Sequence, residues 1–160
     1  MATFNFSIHE RTTLAYRGKF TPKSPSKYKG DPTNIVYRSS WELRFMKYCD
    51  TNPSVLEWSS EEHVVPYVSP IDNRPHRYFV DFVVVVRKAD GSTQTMMVEV
   101  KPKAQTRPPV NKAPHKRPGR RYINEVCTWG VNSAKWTAAE RYCETRGWQF
   151  ILLTEDHLGK

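Results

Sequence analysis

The sequence predicts a mixed α/β (α+β) fold in the order helix, three strands, helices, strand, and three observations carry that prediction. Trp41, Phe45 and Tyr48 recur at i, i+4 and i+7, the spacing of one helix face. Tyr78–Val86 is almost wholly apolar, as a strand buried on at least one face must be. Met96–Lys101 reads as a further strand and Trp148–Leu153 as a last one, with helical spacing between them.

Taken in chain order, residues 1–38 show little periodicity. Pro22, Pro25, Gly30 and Pro32 break any long element, and Lys19, Lys23, Lys27 and Lys29 recur among them. Residues 1–38 therefore read as an extended basic arm, and residues 39–160 as the folded domain. Ser39 or Ser40 can cap the first helix, and Asn52-Pro53 ends it. Residues 55–58 and 62–68 read as short strands, with Pro66 marking an edge. Ser69–Pro75 is a turn-rich connection to the strand that carries Asp81 and runs to about Lys88. Ala89-Asp90-Gly91 fits a three-residue hairpin loop with Gly91 in the left-handed position. After Lys101 a loop runs to about Gly119. Residues 121–129 look helical, and Asn132 or Ser133 can cap a second helix through about Thr145, with Trp136, Ala139 and Cys143 at helical spacing. Gly147 suits the C′ position.

Composition narrows the function classes. The chain has 160 residues, 38% of them hydrophobic, and a mean hydropathy of −0.69, so a modest core lies under a polar surface. No apolar stretch approaches the roughly 18 residues that a membrane span needs, so no membrane role is expected. Met1–Phe6 has neither a basic n-region nor a long apolar h-region, and no secretory signal is expected. Cys49, Cys127 and Cys143 form no Cys-x-x-Cys pair, which argues against a zinc ribbon and for free thiols. His9, His63, His76, His115 and His157 are too scattered for a zinc signature. Neither a Gly-x-Ser-x-Gly elbow nor a phosphate-cradling Gly-x-x-x-x-Gly-Lys loop is present, and no small-molecule cofactor is expected. The net charge of +9 favours a polyanionic partner. Between Lys101 and Arg121 there are eight Lys or Arg, five Pro and no acid, which concentrates that charge in one loop.

The chemistry-bearing residues are few. A lone carboxylate inside an apolar strand is costly unless something partners it, and a metal ion is one such partner for Asp81. Glu99 and Lys101 share one strand face because side chains alternate with period two. If the hairpin loop pairs Lys88 with Ser92, Asp81 lies opposite Glu99, with Cβ atoms about 4.5–5.5 Å apart. A slip of one residue would send the two to opposite faces. Two carboxylates and an ammonium on one face can hold a divalent cation and activate water beside a phosphate. Mg²⁺ suits such a site, since it takes oxygen ligands and keeps several waters. Duller readings stand beside these. Asp81 can hydrogen-bond a turn, Glu99 and Lys101 can form a surface ion pair, and Glu42 and Lys135 can be solvated helix residues. The basic loop can be a linker. If it binds DNA, Lys103, Arg107, Lys112, Lys116, Arg117, Arg120 and Arg121 contact backbone phosphates without reading sequence, with Lys135 as a further candidate. Trp58, Trp129, Trp136 and Trp148 read as core residues.

A helix-borne Glu42, then Asp81, then Glu99-x-Lys101, on an α-β-β-β-α-β order, resembles the PD-(D/E)xK nuclease superfamily. Tyr28–Asn34, Tyr37–Ser39, Leu56–Glu62, Pro70–Arg74, Val98–Lys103, Trp129-Gly130 and Lys135-Trp136 extend the resemblance to the head-completion nucleases of T-even-type myophages, relatives of the TnsA-type transposon endonucleases. It spans roughly Tyr16 to Leu158. The resemblance implies a restriction-endonuclease-like core, a central mixed sheet flanked by helices. It implies that Asp81, Glu99 and the backbone carbonyl of Val100 bind Mg²⁺, or Mn²⁺ in its place, and that Glu42 completes the shell directly or through water. Lys101 would position or deprotonate the attacking water, or neutralise the phosphate. The family's usual proline before the aspartate is Val80 here. The implied activity is DNA hydrolysis at phage head completion, by an endo- or exonuclease that cuts or trims packaged DNA before head–tail joining. The implied partners are DNA and portal, neck or head-completion proteins. The implied location is the head–neck region of the virion, with assembly in the host cytoplasm. Two other functions compete: a non-catalytic head-completion protein that binds DNA and neck proteins, and a transposon-end or Holliday-junction endonuclease.

Overall fold

The computed structural model describes residues 17–159. The first part of the expected arm, residues 1–16, lies outside the described residues, as does Lys160. Strand β1 (Gly18–Phe20) pairs antiparallel with β2 (Ile35–Tyr37). Helix α1 (Ser40–Thr51) follows, then β3 (Val55–Ser60), β4 (Val64–Val68), β5 (Pro75–Phe79), β6 (Phe82–Arg87) and β7 (Thr93–Val100). Helix α2 (Arg120–Glu144), β8 (Gln149–Leu153) and the short α3 (Glu155–Leu158) complete the chain.

The central sheet has the order β3-β6-β7-β8. Its first two pairings are antiparallel and the third is parallel, so it is mixed. Helices cover both faces. Phe82, Val84, Met96, Val98 and Leu153 point to the face where Phe45, Met46 and Cys49 of α1 are fully buried. Met97, with Val83 and Phe150 packed beside it, points to the other face and meets Ala139 and Cys143 of α2. The predicted α-β-β-β-α-β order is thus α1-β3-β6-β7-α2-β8. The β4–β5 hairpin is inserted between its first two strands and forms a separate two-stranded sheet.

Three expectations are revised. Residues 17–38 are not an extended arm. Phe20, Tyr28 and Ile35 belong to the α1-side core, and Phe20 and Tyr28 set their rings edge-on to Trp58. Asp50, itself buried, accepts the backbone N–H groups of Lys23 (2.7 Å) and Ser24 (2.9 Å), which fastens this segment to α1. Prolines broke the periodicity there without breaking the packing, so no boundary at 38/39 separates the described residues. Second, the strand expected from Tyr78 to Lys88 is two strands. Val80 and Asp81 lie between β5 and β6, and the chain changes sheets at that break. Third, the two helices expected over residues 121–145 are one helix of 25 residues. Gly130 sits inside it, and neither Asn132 nor Ser133 caps anything. A lone glycine costs a helix about 1 kcal/mol, which neighbouring turns absorb.

Other local predictions hold. Ser39 is the N-cap of α1, accepting the Glu42 N–H. Asn52 is its C-cap. Gly91 has φ +84° in the hairpin loop, and the Lys88 N–H donates to the Ser92 carbonyl. Pro66 lies on a strand with one neighbour. Past Glu144 the last turn closes as a Schellman motif. The Trp148 N–H bonds the Cys143 carbonyl and the Gly147 N–H that of Glu144, with Gly147 left-handed (φ +66°). No helix among the described residues is long and apolar enough to cross a membrane. The three cysteines are unpaired.

Candidate active site

The register of β6 and β7 decides the geometry. Phe82 pairs with Val98 and Arg87 with Thr93. Continued by one residue, this register sets Asp81 opposite Glu99, as the hairpin loop predicted. The Val100 N–H donates to Asp81 Oδ2 at 2.8 Å and holds the carboxylate against the end of β7. The Glu61 N–H bonds the Asp81 carbonyl, and the Val80 N–H bonds the His63 carbonyl, so the break between β5 and β6 is fixed by backbone contacts. Glu61 has φ +55°, a conformation a non-glycine residue adopts at some cost.

By strand parity, Asp81, Glu99 and Lys101 share the α2-facing side with Met97. Glu99 is only 3% exposed. Lys101 Nζ lies 3.0 Å from its Oε1, and Tyr78 OH donates to its Oε2 at 2.5 Å. Glu99 and Lys101 thus form an ion pair that is largely buried, which sets aside the alternative reading of a surface pair. Burial, and then the charge of Glu99, hold the Asp81 carboxyl well above the ordinary carboxylate range. Burial alone would lower the Lys101 pKa, but the carboxylates of Glu99, Asp81 and Glu42 outweigh it and raise it. Tyr78 is raised far above its usual value, first by burial and then by Glu99, and remains a neutral donor.

Glu42 lies close enough to influence Asp81 and Lys101, but its carboxylate is occupied at the head of α1. Its Oε2 accepts the Arg38 N–H (2.8 Å) and its Oε1 the Ser39 hydroxyl (3.1 Å). Among the described residues no three His, Cys, Asp or Glu side chains converge as a metal-binding group. The donors that can hold a hard cation are those of Asp81 and Glu99, with Val100 beside them. Asp81 uses only Oδ2 in a hydrogen bond among the described residues, and the repulsion that raises its pKa is what a dication would relieve. On both counts the pair fits Mg²⁺, which needs few protein oxygens.

The basic residues divide. Lys103 is tied to α3: its N–H donates to Glu155 Oε2 (2.8 Å) and its ammonium pairs with Asp156. Its charge is thus neutralised, unlike that of a free phosphate contact. Arg121 pairs with Glu125 one turn on, yet stays 93% exposed. Arg107, Lys112, Arg120 and Arg121 line a cavity of about 920 Å³ between the loop and α2. Lys116 and Arg117 are exposed on the loop. Lys135 is not a purely solvated residue, since its ammonium sits over the rings of Tyr78 (5.4 Å) and Tyr67 (5.7 Å). His76 pairs with Asp72 on the surface.

Sequence reasoning missed Tyr78, Arg38 and Glu61. Tyr78 looked like one more apolar residue of a strand, and only its place next to Glu99 distinguishes it. Arg38 pairs with Glu61, which chiefly raises its pKa, and Glu42 and Asp81 add to that effect. The adjacent acids Glu61-Glu62 after a strand were the available signal.

The profile of the TnsA-like endonuclease N-terminal family matches residues 52–155, which includes Asp81, Glu99 and Lys101. The chain is also 44% identical, over 146 residues, to the head completion nuclease of Enterobacteria phage T4. That similarity covers 91% of this chain and 95% of the relative. A carboxylate pair and a lysine at the break in a mixed sheet, a profile match over most of the chain and a near full-length relative agree: this protein belongs to the TnsA-like endonuclease family.

Proposed function

We propose that the protein is a Mg²⁺-dependent deoxyribonuclease that cuts or trims packaged DNA when a phage head is completed, before the tail joins. The observation that carries the proposal is the juxtaposition of Asp81 and Glu99 beside Lys101. The relative's name, head completion nuclease, supports the setting. The proposed location is the head–neck region of the virion, reached from the host cytoplasm. The proposed partners are DNA and portal or neck proteins.

In this reading Asp81, Glu99 and the Val100 carbonyl hold the cation. Mg²⁺ when bound supplies Lewis acidity and lowers the pKa of a coordinated water (Mn²⁺ would substitute). Tyr78 orients Glu99, because its neutral hydroxyl donates to Oε2. Lys101 is ammonium at neutral pH, which suits neutralising the charge of a phosphodiester transition state better than taking a proton. Glu42 acts through water, because its carboxylate already serves the Arg38 and Ser39 groups. Arg107, Lys112, Arg120 and Lys135 attract the phosphate backbone.

A second reading, a head-completion protein that binds DNA without cutting it, is favoured by two observations: Lys101 already pairs with Glu99, and among the described residues no third carboxylate converges with Asp81 and Glu99 as a metal-binding group. Cleavage of linear, circular and branched DNA with Mg²⁺, Mn²⁺ and Ca²⁺ decides. The nuclease reading predicts cleavage with Mg²⁺ or Mn²⁺, and binding with little turnover in Ca²⁺. A folded protein that binds DNA and cuts none of the three would establish the second reading. Preference for four-way DNA would instead indicate a junction endonuclease.

A further inference from the structure

The cavity between the basic loop and the first half of α2 has a composition that phosphate binding alone does not explain. Its loop wall carries Pro108, Pro109 and Val110 with Arg107 and Lys112, and its helix wall carries Trp129 and Asn132. Asn132 is 8% exposed, yet its amide makes no hydrogen bond among the described residues, and it opens into this cavity. Among the described residues the orphaned buried side-chain atoms are Trp58 Nε1, Ser133 Oγ and Trp136 Nε1, whereas the Asn132 amide reaches the cavity itself, where its donor and acceptor are open to a ligand. Trp129, one turn before Asn132, is half-buried. Its ring meets Trp136 edge-on (centroids 5.8 Å, 79°), which leaves the indole braced rather than enclosed. Arg107, Lys112 and Arg120 have no acid partner among the described residues, and the one acid of the lining, Glu125, is bound to Arg121.

A braced indole across from proline rings, an amide open to the cavity and uncommitted cations are the elements that recognise a nucleotide: a face for the base, a donor–acceptor pair for its edge, and charge for its phosphates. A paired base exposes neither its face nor its Watson–Crick edge. The cations also extend further than one nucleotide requires, since Arg121 lies about 21 Å along α2 from Lys135, which sits over Tyr78. We propose that this cavity binds the unpaired end of a DNA strand, with one base stacked on Trp129 and its edge held by Asn132. The inference deepens the deoxyribonuclease reading, because it makes a frayed or single-stranded end the preferred substrate, held along α2 from the carboxylates.

The test measures binding rather than cutting. The full chain is titrated in EDTA against a fluorescent oligothymidylate, with unlabelled oligothymidylate, blunt duplex and thymidine monophosphate as competitors. Wild type should bind the oligonucleotide. Trp129→Leu should weaken binding about tenfold while leaving duplex affinity unchanged. The double variant Arg107→Ala/Lys112→Ala should weaken oligonucleotide binding and reduce its salt slope by about 1.4. That double variant changes only loop side chains outside both cores, so it carries the test if Trp129→Leu does not fold. Wild-type oligonucleotide affinity in a folded Trp129→Leu overturns the proposal. So does unchanged affinity in the loop variant, and so does monophosphate competing as well as the unlabelled strand, which would mark a free-nucleotide site. Because the assay contains no metal, loss of binding through Trp129 sustains the cavity assignment even if no DNA is ever cut. Wild-type binding by the variants of an active nuclease removes the cavity assignment alone.

Discussion

Tyr78→Phe removes one oxygen from the candidate site and leaves the ring. The ring is buried among Val65, Val80, Met97, Ala139 and Cys143, and phenylalanine fills the same space. Only the hydrogen bond to Glu99 Oε2 is lost, leaving that oxygen of a 3% exposed carboxylate without its donor. A hydrogen bond to a charged group contributes about 1.5–3 kcal/mol. The Lys101 contact to Oε1 remains, so the middle of the range, about 2 kcal/mol, is expected. For a chain of this length, 1 kcal/mol moves Tm by about 2–4 °C, which gives a fall of about 6 °C. Urea denaturation in EDTA should show a lower midpoint at unchanged slope, since the area exposed on unfolding is the same. Mg²⁺ should recover part of the loss, because a ligand of the folded state adds its binding energy to stability. An unchanged midpoint in EDTA would refute the reasoning, and would mean that Glu99 is not held by Tyr78.

Lys101→Met leaves two buried carboxylates without their internal cation. It should cost about 1–3 kcal/mol in EDTA, discounted for the partial exposure of Lys101, and Mg²⁺ should rescue it more than wild type when urea curves are compared with and without the ion. Asp50→Ala strands the Lys23 and Ser24 N–H groups that Asp50 receives. A loss of about 2–4 kcal/mol by urea titration is expected, with no change in metal binding by calorimetry. His63, bonded to Tyr142 OH, has its pKa lowered by burial and then by Arg146. Its contribution to stability is present above about pH 6.5 and lost as pH falls through its lower folded value, so His63→Gln should flatten the decline of Tm between about pH 7 and 5.

Local chemistry was legible where short-range rules apply. Ser39, Gly91 and Gly147 are set by cap and turn geometry, and the loop length alone fixed the register that opposes Asp81 to Glu99. What failed depended on long-range packing. Tyr28 and Phe20 looked like residues of a proline-broken arm, because the Trp58 ring they pack on lies some thirty or more positions away. The two-sheet break at Val80-Asp81 was hidden because apolar continuity looks the same whether one strand runs through or two meet. Asn132 and Ser133 suggested the start of a second helix, which the continuous α2 overrides. At the site, charge type identified Asp81, Glu99 and Lys101, while the engagement of Glu42 at its own helix cap and of Lys103 at α3 depends on partners the spacing does not reveal. Tyr78 has no charge to mark it.

The central claim is that Asp81 and Glu99 share a cation for cutting DNA, and thermal unfolding of Asp81→Asn with and without Mg²⁺, paired with a plasmid-cleavage assay, tests it most directly. Because burial and then Glu99 raise the Asp81 pKa, the stability this carboxyl contributes is full below about pH 3.9 and is lost as pH rises through the folded value. Above about pH 3.9 the acid therefore loses stability that an amide, which does not titrate, keeps. The account predicts a variant at least as stable as wild type in EDTA, indifferent to Mg²⁺ and unable to nick the plasmid, beside a wild type that Mg²⁺ stabilises and activates. A folded Asp81→Asn that cuts DNA and gains stability from Mg²⁺ as the wild type does would contradict it.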